Sequence, residues 1–346
     1  MRYVGVYGEE VMSISIVRSL DEEEWRRFVD DHPKGNVFHT PEMFQVFCHT
    51  DGCQPELWAA IKDGHVLALV LPVQVTVLNR LFSYFTTRAV VYGSVLYTPG
   101  DEGHMALYKV LQAYSLGVEG RPLFTELRNV SALSDAQSIL TDCGFLYEDN
   151  LNFLISLEKS NEALWHGIKA GGRRNVNLAR KRGTVIEDAT DRKGLVIAHQ
   201  LLRQVFSRAN VPLASPTLFE AALNILAPLE MFKVLLACAA DRYIGAIILL
   251  MYKGRIIEWY VGHDRTCSQY FPNELLIWEV LQWGKEHGYE LFDFGGAGKP
   301  KDEYGPRRFK AKFGGTLVNH GRNTLVHAPT RLKASEVGYQ IMRRFL

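Results

Sequence analysis

The chain is poor in cysteine, in charge of one dominant sign and in long apolar runs, and each shortage removes a class of protein. Its five cysteines (Cys48, Cys53, Cys143, Cys238 and Cys267) make no C-x-x-C pair and no metal-ligand spacing. A disulfide framework and a zinc site are therefore not indicated, and free thiols in a reducing compartment are expected. The eleven histidines form no H-E-x-x-H or paired pattern, so no catalytic metal is expected. Lysine and arginine total 39 against 38 acidic residues. With a net charge of +1 no global field gathers DNA or membrane, and anion binding must come from local clusters. No apolar run is long enough to span a bilayer; Leu67 to Val73 is short and meets a proline, as a buried strand would. Glu9 and Glu10 stand where a signal peptide would be apolar, so a cytoplasmic location is expected.

What is present is apolar bulk and glycine. Of 346 residues, 47% are hydrophobic, enough for two domains with real cores. Ser13 to Arg18 alternates like a strand. Ser19 with Glu22 reads as a capping box opening a helix whose buried stripe is Trp25, Phe28 and Val29. Two strand-like runs about Lys62-Asp63-Gly64 form a hairpin. Val90 to Tyr97 reads as a strand, His104 to Tyr114 as a helix and Leu123 to Leu127 as a strand. The second half repeats this order. A hairpin covers Val234 to Tyr252 with its turn at Asp241-Arg242, and a strand Ile256 to Val261 follows. A helix Asn273 to His287 comes next, with the stripe Ile277, Val280, Leu281 and Gly284, and then strand Leu291 to Phe294. A polar gap at Glu148 to Asn152 marks the expected boundary, giving domains 1–150 and 151–346. Antiparallel hairpins with helices between them predict an α/β (α+β) fold of mixed, mostly antiparallel sheets flanked by helices. The last residues, 334–346, read as a basic packing helix with Val337, Ile341 and Phe345 on one face.

Three familiar spellings fail. Gly295-Gly296-Ala297-Gly298-Lys299 lacks the Ser/Thr of a phosphate loop, Asp293-Phe294-Gly295 lacks the rest of a kinase, and Asn129-Val130-Ser131 is a glycosylation triplet without a secreted context. Two other stretches carry more. Residues 171–183 hold five cations in ten residues and no acid, after Gly171-Gly172. Either a solvated helix face or an anion-binding helix start fits them. The segment from Phe292 to Gly315 joins a strand ending in Asp293 to a glycine loop and a Phe-Lys-x-x-Phe-Gly block, bringing backbone N–H groups, cations and aromatic faces together. Asp293 either orients an amine or caps the turn.

These residues resemble a known family. Arg-Arg-Asn-Val-Asn-x-Ala-Arg-Lys-Arg-Gly at 173–183 is similar to the R-x-N-I-x-x-A-x-K-x-G motif of Fem-type (FemABX) peptidyltransferase-like proteins. Pro272-Asn273-Glu274, Phe292-Asp293-Phe294-Gly295-Gly296 and Phe309-Lys310-x-x-Phe313-Gly314 resemble further motifs of that family in order and spacing. In the first half, Phe38-His39-Thr40-Pro41 and Val91-Tyr92-Gly93-Ser94 resemble it more loosely. The resemblance implies two tandem domains of the GNAT acyltransferase fold and transfer of an acyl or aminoacyl group to an amine of a cell-wall or cell-surface precursor. It offers two alternatives: an acyl-CoA-dependent N-acetyltransferase on the same fold, or a non-catalytic degenerate transferase in polysaccharide assembly. The chain departs from the family pattern in lacking a coiled-coil insertion and in lacking glycine between His263 and Phe271, where a coenzyme A pyrophosphate would need a backbone cradle.

No serine–histidine or cysteine–histidine arrangement is evident, so direct attack without an acyl-enzyme is expected. The expected catalytic residues are Lys310, as the cation beside the donor phosphate or the oxyanion, with Asp293 and Tyr304 positioning the amine or relaying a proton. Arg173, Arg174, Asn175, Arg180, Lys181, Phe309, Gly295 and Gly296 would bind the donor, and Phe309 is either a stacking platform or core. His39, Tyr92 and Arg128 would line an acceptor cleft between the domains. No tightly bound cofactor is expected, only a donor co-substrate, aminoacyl-tRNA or acyl-CoA. The expected acceptor is an anionic small molecule or a UDP-linked or lipid-linked precursor. tRNA and peripheral membrane contact stay open, DNA is not expected, and a monomer is.

Overall fold

The protein is described here by a computed structural model covering residues 13–76, 83–118 and 122–335. The expected terminal helix lies almost wholly outside the described residues. In chain order the first half contains Ser15–Val17 (β1), Glu22–Asp31 (α1), Pro41–Cys48 (α2), Cys53–Pro55 (β2), Trp58–Lys62 (β3), His65–Val70 (β4), Pro72–Thr76 (β5), Ser83–Thr86 (α3), Thr87–Tyr92 (β6), Leu96–Tyr97 (β7), Asp101–Gly117 (α4), Phe124–Arg128 (β8), Gln137–Asp142 (α5) and Leu146–Glu148 (β9). The second contains Leu151–Ser156 (β10), Asn161–Gly167 (α6), Ala170–Lys181 (α7), Val185–Asp188 (β11), Arg192–Arg208 (α8), Pro216–Leu226 (α9), Phe232–Ala239 (β12), Arg242–Tyr252 (β13), Arg255–His263 (β14), Pro272–Glu286 (α10), Leu291–Asp293 (β15), Gly305–Lys310 (α11), Thr316–Asn319 (β16) and Arg322–Val326 (β17).

The expected repeat is present. In each half a hairpin (β3–β4, β12–β13) is followed by a strand, a long helix and a second strand parallel to the first: β6 beside β8, and β14 beside β15. The hairpin turns fold where left-handed residues sit. Asp63 and Gly64 have φ of 53° and 81°, and Lys253 and Gly254 have 46° and 70°. The β12–β13 turn uses Ala240 and Asp241, at φ 50° and 56°, one residue earlier than the sequence placed it. The strand expected over Val90 to Tyr97 is broken at Gly93-Ser94, both at φ 76°. Helix α1 is capped by Asp21, whose Oδ1 accepts from the N–H groups of Glu23 and Glu24 at 3.0 and 3.1 Å. Ser19 is therefore outside the helix, because an aspartate two residues later makes the same cap.

Among the described residues three sheets result, of four, seven and six strands: β1-β3-β4-β7, then β11-β12-β13-β14-β15-β10-β16, then β2-β5-β6-β8-β17-β9. The connection between β9 and β10 falls at the expected boundary, but β17 hydrogen-bonds into the first half's sheet against β8 and β9. The pairings β9–β17 and β10–β16 are both antiparallel and follow one another along the same two chain segments, with Gly321 N–H donating to Asn150 O between them. The two sheets are thus joined by one continuous two-stranded ribbon.

Helices α6, α7 and α10 cover one face of the seven-stranded sheet, around Ile277, Val280, Leu281, Phe292 and Phe313. The other face packs α8 and α9 together with Val37, Phe38, Met43, Val46 and Phe47 of the first half, so the interface between halves is itself an apolar core. Burial of such side chains stabilises by about 1.5–3 kcal/mol each. A second tie is Lys253, whose ammonium sits on the carbonyls ending α1, those of Val29, Asp30 and His32. Among the described residues no helix is long and apolar enough to cross a membrane.

Candidate functional site

The ladder between β14 and β15 ends at Ile257–Asp293, whereas β14 runs on to His263. Two parallel strands therefore part company, and the chemistry-bearing side chains gather where they do. The pairing of β13 with β14 shifts register between Ile248–Tyr260 and Leu249–Glu258, leaving Trp259 as an extra residue. Such a bulge bends a strand and re-aims a side chain. Here it accompanies a carboxyl group in the middle of an apolar strand: Glu258 is 7% exposed.

Lys310, on α11, reaches the same point. Its Nζ donates to Phe294 O at 2.5 Å and Gly296 O at 2.7 Å, and lies 3.4 Å from Glu258 Oε1. An ammonium has three N–H donors; two go to the loop carbonyls, and the charge faces Glu258. Lys310, expected as a cation for phosphate or oxyanion, therefore also serves as a strut joining the glycine loop to Glu258. The glycine amides are also committed. Gly295 N–H donates to Asp293 Oδ1 at 2.7 Å and Gly296 N–H to Asn152 Oδ1 at 2.9 Å. The loop is braced rather than open to a ligand. Gly295 is required there, since it has φ 72° and a Cβ would lie 2.8 Å from Glu258 O.

Asp293 is 1% exposed, and Asn152 Nδ2 donates to its Oδ1 at 2.6 Å. Its Oδ2 has no hydrogen-bond partner and lies 3.9 Å from Arg255. Glu258 Oε2 is likewise buried and unpartnered. Burial pushes the Glu258 carboxyl up from its ordinary range; the Lys310 ammonium opposes this, and Asp293 adds to it. Tyr304 stands at the rim, with its ring edge against Gly298. Burial of its hydroxyl, and Glu258 after it, raise its proton affinity.

The cationic helix expected to grip an anion is largely occupied. Arg173 Nη1 donates to the carbonyls of His166 and Ile168, closing α6. Asn175 Nδ2 donates to Glu274 Oε1 at 3.0 Å. Arg180 pairs with Glu279 at 2.9 Å and donates to Gln282 on the outer face of α10. Only Arg174 and Lys181 of that set are exposed without an ion-pair partner among the described residues. Gly171 and Gly172 lie inside the first turn of α7, not before it. A Cβ on Gly172 would meet Ile168 at 2.7 Å and Lys312 at 3.6 Å, so close packing explains that glycine. The helix links to the Phe-Lys block through Glu274, whose Oε1 also accepts from Lys312 at 3.2 Å; nothing links Arg180 to Lys310 directly among the described residues. Phe309 packs edge-on to Phe313 at 5.4 Å against the core, with the Lys312 ammonium 5.2 Å from its ring.

The acceptor residues separate. His39 is fully buried, with its Nδ1 accepting from Asn36 N–H at 3.3 Å and its Nε2 3.1 Å from Ser94 O. Burial lowers its pKa to about 4. It is a turn-forming group, not a cleft residue. Tyr92 is stacked on Phe38 and Phe47, at 5.7 and 5.2 Å, and the Arg128 guanidinium lies 5.2 Å from its ring. Arg128 donates to Glu126 Oε1 at 2.7 Å and Arg322 to its Oε2 at 3.1 Å. Tyr92 and Arg128 are brought together at the ends of β6 and β8; His39 is not with them. Sequence reasoning passed over Glu258, although a lone acid inside an apolar central strand was a visible signal. Among the described residues, no group of three His, Cys, Asp or Glu could hold a metal.

Comparisons agree with this layout. Residues 169–311 match the acetyltransferase (GNAT) domain family. No curated protein sequence matches the chain. Among solved structures, FemX superposes with a TM-score of 0.70 at 16% identity, covering 91% of this chain and 98% of that one. A tandem GNAT protein from the clavulanic acid biosynthesis pathway gives 0.60 at 11% identity, over 92% and 100%. L-PGS from Bacillus licheniformis gives 0.57 at 15% identity, over 95% and 98%. Residues 169–311 are thus similar to an acetyltransferase (GNAT) domain, and the likeness to FemX and to the tandem GNAT protein shows that the chain has a two-domain GNAT-like fold.

Proposed function

We propose that this protein transfers an activated acyl or aminoacyl group to a primary amine of a cell-wall or cell-surface precursor, with Glu258 as general base. The observation that carries the reading is the buried, unpartnered Oε2 of Glu258 at the parting of β14 and β15. A carboxyl whose proton affinity is raised by burial is better matched to an amine proton near neutral pH than an ordinary glutamate. The amine nitrogen attacks the donor carbonyl and a C–N bond forms. Glu258 takes the proton released from nitrogen, the tetrahedral intermediate collapses, and the donor oxygen or sulfur leaves. In this reading Tyr304, at the rim against Gly298, returns a proton to the leaving group. Lys310 and Gly295 hold Glu258 in place.

An aminoacyl ester on tRNA is the donor we favour, in a cytoplasmic setting and with a UDP-linked or lipid-linked acceptor. What supports it over coenzyme A is the start of α10. Pro272 removes one N–H, and the buried Glu274, paired with Lys312, puts a carboxylate in the first turn, where a diphosphate would otherwise meet the helix dipole. The match to an acetyltransferase family favours acyl-CoA as the second reading. A ligand that binds only the folded state raises stability by about 2.7 kcal/mol at a hundred times its Kd. A melting-temperature rise with charged tRNA and none with acetyl-CoA is expected; the reverse selects the second reading. For the chemistry, Glu258→Gln should lower kcat by about 10²- to 10⁴-fold with the fold intact by circular dichroism. Full turnover by that variant would refute the assignment.

A further inference from the structure

Helix α8 carries four cations, Arg192, Lys193, Arg203 and Arg208, and no acid in its 17 residues. Its apolar side is buried, with Leu195, Ala198, Leu201 and Leu202 in the core beneath the seven-stranded sheet. The opposite side faces solvent, from Arg192 and Lys193 through Gln200 to Ser207, at the spacing of one helix face. Among the described residues the side chains of Arg192, Lys193 and Arg203 have no hydrogen-bond or ion-pair partner. The acid nearest in sequence, Asp191, is turned to the Gly194 N–H at 2.7 Å as the helix cap. This sets α8 apart from α7, whose Arg173, Asn175 and Arg180 are taken up by carbonyls and by α10.

Two shallow depressions run along this face, one between Arg192 and Gln200 and the other between Gln200 and Ser207, and they meet at Gln200. Together they follow about 22 Å of helix, at 1.5 Å per residue. Every polar group lining them can donate: guanidinium, ammonium, amide and hydroxyl. No carboxylate and no aromatic ring is among them. The complement is a row of anionic oxygens. Arginine, lysine, glutamine and serine are the side chains that contact nucleic-acid phosphates and sugars, and a lining without rings has nothing on which bases would stack. A membrane fits less well. A helix lying in lipid turns its apolar side outward, and here that side is in the core, leaving Val196 and part of Ile197 outside. Direct contacts join the face to the reaction end of the sheet. Arg208 donates to His263 O at 3.3 Å, and a Cβ on Gly262 would meet Val205 and Leu202 of α8 at 3.1 and 3.2 Å. His263 ends β14, no more than about 16 Å along the strand from Glu258.

We propose that the outward face of α8 is a docking track for the sugar–phosphate backbone of RNA, seating the body of a tRNA donor whose aminoacyl end passes the end of β14 to Glu258. The proposal rests on the aminoacyl-tRNA reading above and adds where the RNA lies. Arg192, Lys193 and Arg203 hold phosphates, and Gln200, Gln204 and Ser207 donate to phosphate or ribose oxygens. Such contacts are independent of base sequence and release counterions.

The test is filter binding of uncharged tRNA to the full chain across a salt series. Arg192→Gln with Lys193→Gln and Arg203→Gln removes three exposed charges and leaves the buried side of α8 untouched. With unchanged circular dichroism, this triple variant should bind about tenfold or more weakly, and its slope of log affinity against log salt should fall by about 2 to 3. Its KM for charged tRNA should rise while kcat at saturation stays as it was. Arg27→Gln with Lys62→Gln, which removes cations already paired with Glu24 and Glu102, should change neither affinity nor slope. A triple variant that binds tRNA as the parent does, with the same slope, overturns the track. So does one that loses only its sedimentation with phosphatidylglycerol vesicles, which would assign the face to a membrane. Failure of the donor reading looks different: the parent chain then binds no tRNA at low salt and turns over acetyl-CoA, which sinks donor and track together. Glu258→Gln separates the chemistry from the docking, since it should bind tRNA with the parent's affinity and slope whatever becomes of its turnover.

Discussion

Replacing Lys310 by methionine separates a structural cation from a catalytic one, because the side chain keeps its length and loses only its ammonium. In the folded protein two acceptors, Phe294 O and Gly296 O, then lose their donor, and Glu258 Oε1 loses the ammonium 3.4 Å away. Removing one partner of a buried charge pair costs about 3–5 kcal/mol. The lower end is expected here, because Glu258 can take up a proton and shed its charge. The sharper measure is a double-mutant cycle with Glu258→Gln, which removes the charge that Lys310 faces. The two substitutions should couple by about 1–3 kcal/mol, with the double variant more stable than the sum of the singles allows. Urea unfolding followed by tryptophan fluorescence reads this, provided the slope is unchanged between variants. The rate should respond in a fixed direction as well. Without the opposing ammonium the Glu258 carboxyl holds its proton more tightly, so the rising limb of the pH–rate profile should move to higher pH. A Lys310→Met protein within about 0.5 kcal/mol of the parent, the ordinary range for a surface change, would refute the strut.

Other outcomes follow from the same geometry. His39 is neutral and buried with a pKa of about 4, against 6.5 when unfolded, so the unfolded chain binds the extra proton. Stability should be fully present above pH 6.5 and fall as pH drops towards 4, by about 3 kcal/mol at 1.36 kcal/mol for each tenfold change in proton affinity. His39→Gln should flatten that part of the stability–pH curve. Gly295→Ala places a side chain at φ 72°, 2.8 Å from Glu258 O. It should cost about 1–3 kcal/mol in melts and lower kcat by displacing the base. Arg180→Ala breaks an exposed pair with Glu279; it should change stability by no more than about 1 kcal/mol and leave donor affinity, measured by filter binding, as it was.

Local rules were readable wherever a feature needed only its neighbours. The Asp63-Gly64 turn was visible because left-handed residues are few, and α10 was visible because Ile277, Val280, Leu281 and Gly284 fall on one face. The cation-rich segment misled because charge was counted without partners. The residues that neutralise or hold Asn175 and Arg180, Glu274 and Glu279, stand about a hundred residues later and become neighbours only when α10 packs on α7. The glycine loop misled in the same way: the groups that fill its N–H positions come from Asp293 and from Asn152 in a distant strand. The bulge at Trp259 that accompanies Glu258 depends on register against β13, which no single strand reveals. The return of β17 to the first sheet depends on pairing across the whole chain.

The ribbon made by β9–β10 and β16–β17 has a mechanical consequence. A two-domain enzyme joined by one linker can open and shut like a clam. Here the connection is double, with Glu148 aligned to Arg322 on one side and Leu151 to Asn319 on the other, and a nick at residues 149–150 would leave the fragments still laced together. Swinging the halves apart would mean tearing rungs from both ladders. The two ladders thus hold the halves in a single stiff frame.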